Sequence, residues 1–319
     1  MAKIRLALLS GGVSSERAVS LNSGKQVFEA LDKDKYDITL YDPKIDLKQL
    51  IINAENIDAA LIILHGPFGE DGTVQGLLDL LDIPYQGAGV LGSAMAMNKL
   101  VAKRLYDAAQ IPTPPYLSFS MNEKISLSKV IETLGLPLVV KPACAGSSVG
   151  MTIVKDAADL EAAIRLGFDH DDCILLETYL KGIELTCGVL GNDELEALPV
   201  IEILPGEGHE FFDYKAKYIP GETQEICPAR IDDITTKKVQ ALAIKAHQAL
   251  FLKGYSRTDL ILHDTDVSVL ETNTIPGMTA TSLYPQSAQV AGYTFTELLD
   301  ELIQLSIKEH TKQNLRRAR

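Results

Sequence analysis

The chain has 319 residues, of which 46% are hydrophobic, and it carries a formal net charge of −13 at pH 7. A chain of this length is expected to form about two or three domains with substantial cores. The acidic balance argues against nonspecific nucleic-acid binding, and no apolar run is long enough to span a membrane. The four cysteines lack C-x-x-C spacing, so a cytoplasmic protein with reduced thiols is expected.

The first third of the chain alternates predicted strands and helices. Residues 3–10 predict a buried strand rather than a signal peptide, because they lack a proper apolar core and cleavage site. Further strands are predicted at 37–41 and 57–64, and helices at 15–31, 73–81 and about 92–109. The alternation predicts a doubly wound α/β domain with a parallel sheet, assigned to residues 1–97.

A proline cluster at 111–115 breaks the chain and opens a new unit, and the second domain is assigned to residues 98–183. Its predicted elements are helices at 126–134 and 157–166 and strands at 138–141, 151–154 and 174–179. The third unit, residues 184–319, predicts an antiparallel sheet covered by helices. Its predicted strands lie at 185–190, 198–204 and 224–228, followed by a hairpin at 257–273 and helices at 235–250 and 294–309.

The hairpin is the most informative stretch of the sequence. A turn centred on Thr265 would place Asp259 opposite Glu271 and Arg257 opposite Asn273, with all four side chains on one face. Two opposed carboxylates repel, so the face is either solvated surface or a site for hard cations beside an anionic ligand. Oxygen ligands of this kind suit Mg²⁺ together with substrate phosphates.

Two polar loops favour the second interpretation. Residues 274–283 are dense in glycine, serine and threonine and could bind a carboxylate through N–H and hydroxyl groups. At 141–150, a lysine at a strand end precedes a run of tiny residues that would let backbone N–H groups approach a phosphate. The alternative for this second loop is an ordinary flexible hairpin connection.

Two further signals are weaker. Glu177 and Glu184 follow that loop in the chain, and a carboxylate there could hold ribose hydroxyls. Gly87, Gly89 and Gly92 form a G-x-G-x-x-G pattern, but the acidic residue about 20 positions later lies in a predicted helix rather than at a strand end. We therefore interpret the glycine pattern as chance.

Five motifs occur in a fixed order along the chain. They are S-G-G-V-S-S-E-R-A-V-S at 10–20, H-G-P-F-G-E-D-G-T-V-Q-G at 65–76, K-P-A-C-A-G-S-S-V-G at 141–150, F-D-Y-K-A-K-Y at 212–218 and L-E-T-N-T-I-P-G-M-T-A-T-S-L at 270–283. Together they closely resemble the D-alanine–D-alanine ligases of the ATP-grasp superfamily. The resemblance runs from residue 10 to residue 288. It departs from the family's common pattern at Cys144, Ala145 and Leu260, which are not matched catalytic positions.

The resemblance implies a three-domain fold with ATP bound between the central and C-terminal antiparallel sheets. It also implies a two-step reaction, in which ATP converts one D-alanine to an acyl phosphate and the amine of a second D-alanine attacks it. The products would be D-alanyl-D-alanine for peptidoglycan synthesis, ADP and phosphate. The implied partners are ATP, D-alanine and two Mg²⁺ ions, which Mn²⁺ can replace. Neither nucleic acid nor membrane is implied, and a homodimer is possible.

The resemblance also implies roles for individual residues. Residues matched to phosphate and nucleotide binding are Lys99, Lys141, Ser148, Lys217, Glu177, Leu180 and Glu184. Residues matched to the two D-alanines are Glu16, His65, Ser282 and Leu283. The metal ligands are Asp259, Glu271 and Asn273, and the oxyanion contacts come from Arg257 and the Gly277 backbone. The catalytic set also includes Ser147 and Tyr218, which would form a hydrogen-bond network with Glu16. This network would tie a mobile lid, expected at 205–222, to the N-terminal domain.

Three alternatives remain open from the sequence. A ligase of the same fold could join D-alanine to D-lactate or D-serine, although Tyr218 matches the dipeptide-forming type. A nicotinamide-dependent oxidoreductase could use the Gly87 loop, and it would bind NADH without ATP turnover. A catalytically inactive nucleotide-binding module is the third, and the complete set of matched metal and phosphate residues argues against it.

Overall fold

The structure is a computed structural model that describes residues 2–144, 146, 149–206 and 223–317. The expected lid at 205–222 lies almost wholly outside these described residues. Across the described ranges the strands form one parallel sheet and two antiparallel sheets. This architecture confirms the predicted α/β and α+β fold with an N-terminal parallel sheet.

The N-terminal sheet consists of three parallel strands in the order β2-β1-β3. The strands are β1 (Ile4–Ser10), β2 (Tyr36–Tyr41) and β3 (Ala59–Ile63). Strand β3 is buried on both faces, which explains its uninterrupted apolar sequence. The helices are α1 (Arg17–Ala30), α2 (Leu47–Ile52) and α3 (Thr73–Leu80), with a 3₁₀ turn at Ala54–Asn56.

The single helix predicted at about 92–109 is wrong. The structure has two helices, α4 (Val90–Met97) and α5 (Lys99–Ala108), separated at Asn98. Asn98 has an extended backbone, and its side chain accepts a hydrogen bond from the N–H of Val101. Asparagine is a strong N-cap because its short side chain competes with the backbone in this way. The break makes Lys99 the first residue of α5.

The central antiparallel sheet has the strand order β4-β7-β5-β6. Its strands are β4 (Tyr116–Ser120), β5 (Leu138–Pro142), β6 (Thr152–Val154) and β7 (Cys173–Thr178). Its helices are α6 (Leu127–Leu134) and α7 (Leu160–Phe168), and the 3₁₀ turn Ala157–Asp159 precedes α7. Strand β4 was not predicted. It is a half-buried edge strand directly after the prolines, so it shows no clear alternation.

The C-terminal antiparallel sheet has the order β11-β10-β8-β12-β13, with β9 also paired to β8. The strands are β8 (Ile183–Leu190), β9 (Glu196–Ala197), β10 (Ile201–Pro205), β11 (Thr223–Ile226), β12 (Tyr255–His263) and β13 (Asp266–Asn273). The helices are α8 (Asp233–Ala249), α9 (Leu283–Val290) and α10 (Phe295–Arg317).

Three predictions for this part need correction. The strand predicted at 198–204 begins at Ile201, and the helix predicted to end at 309 continues to Arg317. Helix α9 was not predicted, because it follows a loop rich in glycine, serine and threonine and contains Pro285. A proline in the first turn does not interrupt a helix, since the N–H it lacks would have no partner within the helix.

The N-terminal sheet and the C-terminal helices share one hydrophobic core. Leu6 and Leu8 of β1 belong to the same buried cluster as Tyr284 of α9 and Leu302 of α10. The central sheet instead has a separate core with α6 and α7. The first and last parts of the chain are therefore expected to unfold together.

Replacing Leu302 by alanine tests this shared core. Leu302 is 1% exposed, so the substitution should lower the free energy of unfolding by about 2–5 kcal/mol. Urea denaturation followed by circular dichroism measures the loss. Leu315→Ala on the same helix is the control, because Leu315 is 64% exposed and should change stability by less than about 0.5 kcal/mol. Equal effects of the two substitutions would contradict the shared core.

Candidate active site between the two antiparallel sheets

A cleft of about 1330 Å³ lies between the central and C-terminal sheets. Each part of the fold contributes polar side chains to its walls. Glu16 and His65 come from the N-terminal part, Lys141 comes from β5, and Glu271 comes from β13. A large cleft with convergent polar groups is the first candidate for a small-molecule site.

The predicted hairpin pairing is present in the structure. Asp259 lies opposite Glu271, and Arg257 lies opposite Asn273. All four residues line the cleft, as the shared face required. The two carboxylates are therefore neighbours on the cleft wall.

The turn that produces this pairing differs from the prediction. His263 pairs with Asp266, so the turn is not centred on Thr265. The register then shifts by one, because Leu270 is an extra residue in β13. This β-bulge restores the expected pairs, and it buries Val269 in the core while Glu271, two positions later, lines the cleft.

Asp259 is buried, and side chains on three strands orient it. Arg257 donates from Nε and Nη2 at 2.9 and 2.8 Å, and Asn273 donates from Nδ2 at 3.1 Å. Thr186 of β8 donates from Oγ1 at 2.6 Å. The opposing carboxylate of Glu271 lies 3.8 Å from Nζ of Lys99. Both carboxylates are thus compensated by nearby donors or cations.

The donor set at this end of the hairpin fits the metal that the resemblance implies. Asp259 and Glu271 provide neighbouring carboxylate oxygens, and Asn273 provides an amide oxygen. Hard cations such as Mg²⁺ and Mn²⁺ prefer oxygen ligands. The described residues contain no group of three or more His, Cys, Asp and Glu side chains able to hold a metal. Mg²⁺ is commonly held by one or two carboxylates together with substrate phosphates, which agrees with this donor set.

Two lysines meet a single buried carboxylate on the opposite wall. Oε2 of Glu177 lies 2.7 Å from Nζ of Lys141, and Oε1 lies 3.0 Å from Nζ of Lys103. Burial lowers the pKa of Lys103 to about 8, although the attraction of Glu177 opposes the shift. Glu177 is buried between the two cations, and its pKa is lowered because their attraction outweighs its burial.

No role for Lys103 was predicted from the sequence. It lies four positions after Lys99, so both lysines are on the same side of α5. That spacing was the available signal. Leu180 and Glu184 line the cleft as predicted, and their nucleotide contacts stay predictions together with the ribose contact of Glu177.

The N-terminal side of the cleft holds a group of carboxylates and one histidine. Burial lowers the pKa of His65, and the charge of Glu16 opposes this shift. Burial, reinforced by Glu16, raises the pKa of Glu70 to about 8. Glu70 accepts a hydrogen bond from the N–H of Gly66 at 2.6 Å. Glu70 lies within the motif at 65–76, but no role was predicted for it from the sequence.

The loop before α9 forms the remaining wall. The hydroxyl of Ser282 accepts a hydrogen bond from the N–H of Thr279 at 3.1 Å, and Ser282 immediately precedes α9. Gly277 and Leu283 also line the cleft. A helix N-terminus with hydroxyl groups favours an anion such as a carboxylate.

Four predicted site residues lie outside the described residues. They are Ser147, Ser148, Lys217 and Tyr218. The glycine pattern at 87–92, by contrast, is described and does not line the cleft. Gly87 lies against the ring of Tyr255, and Gly92 lies against Leu252, so both glycines serve close packing.

An antiparallel-sheet cleft with paired carboxylates on one wall and buried lysines on the other defines an ATP-grasp enzyme. The family profile described as the C-terminus of D-ala D-ala ligase matches residues 105–304, and the N-terminal profile matches residues 44–88. The chain belongs to the D-alanine–D-alanine ligase family.

Individual relatives agree with this assignment. A D-alanine–D-alanine ligase of Syntrophobacter fumaroxidans is 59% identical over 96% of this chain and 99% of its own length. The Bacillus anthracis D-alanine–D-alanine ligase complexed with ATP superposes with a TM-score of 0.86 and 34% identity, covering 97% of this chain and 99% of that one. The VanG D-Ala:D-Ser ligase of Enterococcus faecalis has a TM-score of 0.82 and 34% identity, covering 96% and 100%.

In the part of the chain that the structure describes, no helix is long and apolar enough to cross a membrane.

Replacing Glu271 by glutamine tests the carboxylate pair. The variant keeps the shape of the side chain and removes its charge, so turnover should fall by roughly a hundredfold or more while the fold is retained. Phosphate release and thermal unfolding measure the two effects. Asp266→Asn on the same strand is the control, because this exposed residue lies at the far end of the hairpin. Near-normal turnover of Glu271→Gln would overturn the metal assignment.

Proposed function

We propose that this chain joins two D-alanines to form D-alanyl-D-alanine, with conversion of ATP to ADP and phosphate. The observation that carries the proposal is the cleft, where Asp259 and Glu271 lie side by side and Lys141 lies on the opposite wall. Phosphoryl transfer needs positioning and charge neutralisation more than covalent chemistry by the protein. The product is a peptidoglycan precursor, so the proposed role is in cell-wall synthesis.

In the first step, a carboxylate oxygen of one D-alanine attacks the γ-phosphorus of ATP, and the bond to ADP breaks. Lys99 and Lys141 hold the phosphates, and Glu16 holds the ammonium group of this D-alanine, with His65 beside it. Bound Mg²⁺ would be held by Asp259, Glu271 and Asn273 and would neutralise charge on the transferring phosphoryl group. The product of this step is an acyl phosphate.

In the second step, the amine of the other D-alanine attacks the carbonyl carbon of the acyl phosphate. The carbonyl oxygen becomes an oxyanion, which Arg257 and the backbone N–H of Gly277 stabilise. The tetrahedral intermediate then expels phosphate, and the amine loses a proton. Ser282 and Leu283, at the start of α9, contact the carboxylate of this second D-alanine.

Several other parts of the proposal do not rest on the geometry of the cleft. The roles of Ser147, Ser148, Lys217 and Tyr218 rest on the sequence motifs alone. The domain boundaries at 97/98 and 183/184, the homodimer and the cytoplasmic location also stay proposals. A second product, made with D-lactate or D-serine, is not favoured, because the relative with the highest identity reported above is a D-alanine–D-alanine ligase.

Phosphate release tests the proposed reaction. The purified protein with ATP and Mg²⁺ should release phosphate rapidly with D-alanine and at background rate with L-alanine. D-alanine mixed with D-lactate should give dipeptide and little ester, separated by chromatography. Ester as the main product would establish the alternative ligase. ATP turnover that does not depend on D-alanine would refute both ligase assignments.

A further inference from the structure

Lys103 is a buried lysine that does not line the cleft. Its side chain is 1% exposed, and it reaches the site only through Glu177. Glu177 binds Lys103 with one carboxylate oxygen and Lys141 with the other. The three side chains form an ion triad in which Lys141 and Glu177 line the cleft and Lys103 does not.

Lys103 changes the net charge of the triad. Two cations and one anion leave a net charge of +1 beside residues 141–150, the predicted phosphate-binding loop, which is called the phosphate loop below. Without Lys103, the Glu177–Lys141 pair would be neutral, and Glu177 would hold Lys141 more tightly. Interactions between charges are strong in a buried environment, so this difference should affect an anionic ligand at Lys141.

Helix α5 fixes the position of Lys103. At the start of the helix, the N–H of Lys99 donates to the carbonyl of Ala143 in the phosphate loop at 2.8 Å. Towards its end, the hydroxyl of Tyr106 donates to Thr272 of β13 at 2.8 Å. The helix is thus attached both to the phosphate loop and to the strand that carries Glu271.

We propose that Lys103 is a positioning residue for nucleotide binding, which shares the charge of Glu177 and so leaves the ammonium group of Lys141 available to phosphate oxygens. The inference rests on the proposed function, because it requires that ATP binds in the cleft. Lys103 acts through Glu177 and does not itself touch the nucleotide.

Lys103→Met tests the proposal, since methionine retains most of the apolar stem and removes the charge. The KM for ATP and the Kd for ADP should each rise about tenfold, whereas kcat should change less than about threefold. Arg104→Met is the matched control, because Arg104 is the adjacent residue on α5 and is exposed. The control should leave both constants within about twofold of the wild type.

A double-mutant cycle separates charge sharing from simple loss of structure. In a Glu177→Gln background, Lys141 has no carboxylate to neutralise it. Adding Lys103→Met should then weaken ADP binding by less than about threefold, compared with about tenfold when Glu177 is present. A purely structural role predicts equal effects in the two backgrounds. Calorimetric titration gives the Kd for ADP of the wild type, the two single variants and the double variant. The Glu177→Gln variant alone reports any direct contribution of Glu177 to ADP binding.

The pH dependence of ADP binding by the wild type gives a second test of the role of Lys103. As the pH rises past about 8, Lys103 loses its proton, so wild-type ADP affinity should fall between about pH 7.5 and 9.5. The groups around Lys103 are Glu177 on β7, Lys141 on β5, Asp107 on α5 and Tyr116 on β4. Tyr116 stays neutral over this range, because burial raises its pKa to about 12. The Lys103→Met variant should show a smaller fall than the wild type, and any fall that remains in both proteins includes the ionisation of Glu70 in the cleft, whose pKa is also about 8.

The outcomes distinguish this proposal from the proposed function. If the wild type neither binds ADP nor turns over ATP with D-alanine, the proposed function fails. If the wild type is active and Lys103→Met binds ADP normally, only the role of Lys103 is overturned. The role of Lys103 is also overturned if Lys103→Met weakens ADP binding equally in the wild-type and Glu177→Gln backgrounds, or if it lowers kcat while the KM for ATP stays constant. Should Lys103→Met not fold, Lys103→Gln replaces it with the same expectations.

Discussion

Two carboxylates oppose each other across one hairpin, and the rest of the site is arranged to compensate them. Asp259 and Glu271 are register partners, so the backbone pairing itself forces their charges together. Arg257, Asn273 and Thr186 donate to the first carboxylate, and Lys99 lies near the second. A buried anion is tolerated only when such partners are present. The hairpin therefore places several carboxylate and amide oxygens close together, where they could coordinate cations that also bind phosphates.

Helix α5 contacts both walls of the cleft, because it reaches the hairpin of the C-terminal sheet and Glu177 of the central sheet. Its apolar side chains pack in the core of the C-terminal sheet, where Ala102 and Tyr106 belong to the same cluster as residues of β12, β13 and α8. Its two lysines reach different sheets: Lys99 lies 3.8 Å from Glu271 on β13, whereas Lys103 ends at Glu177 of the central sheet. The helix thus packs in the core of the C-terminal sheet and forms an ion pair with each of the two antiparallel sheets.

Much of the fold and the hairpin pairing could be predicted from the sequence, because apolar periodicity and opposed charges are local signals. Other features depend on contacts that no local pattern reveals. The helix break at Asn98 and the bulge at Leu270 each involve one residue whose role depends on its neighbours in space. Uninterrupted alternation would have placed Val269 on the same face as Glu271. The spacing of Lys103 from Lys99 placed it on the same side of a helix, but its role depends on Glu177, which lies 74 positions later in the chain (177 − 103).

The triad of Lys103, Glu177 and Lys141 also limits how such chains can recombine. The central core uses side chains from about residue 117 to residue 176, so crossovers in the flanking loops would exchange an intact hydrophobic unit between two homologues. Lys103 lies outside that unit, whereas Lys141 lies in it and Glu177 lies directly beside it. A chimaera made in this way would inherit the lysine from one parent and the carboxylate from the other. Folding of the chimaera would depend on how well the exchanged core packs against the rest of the chain. The net charge of the buried triad would instead depend on whether the lysine of one parent finds a carboxylate in the other.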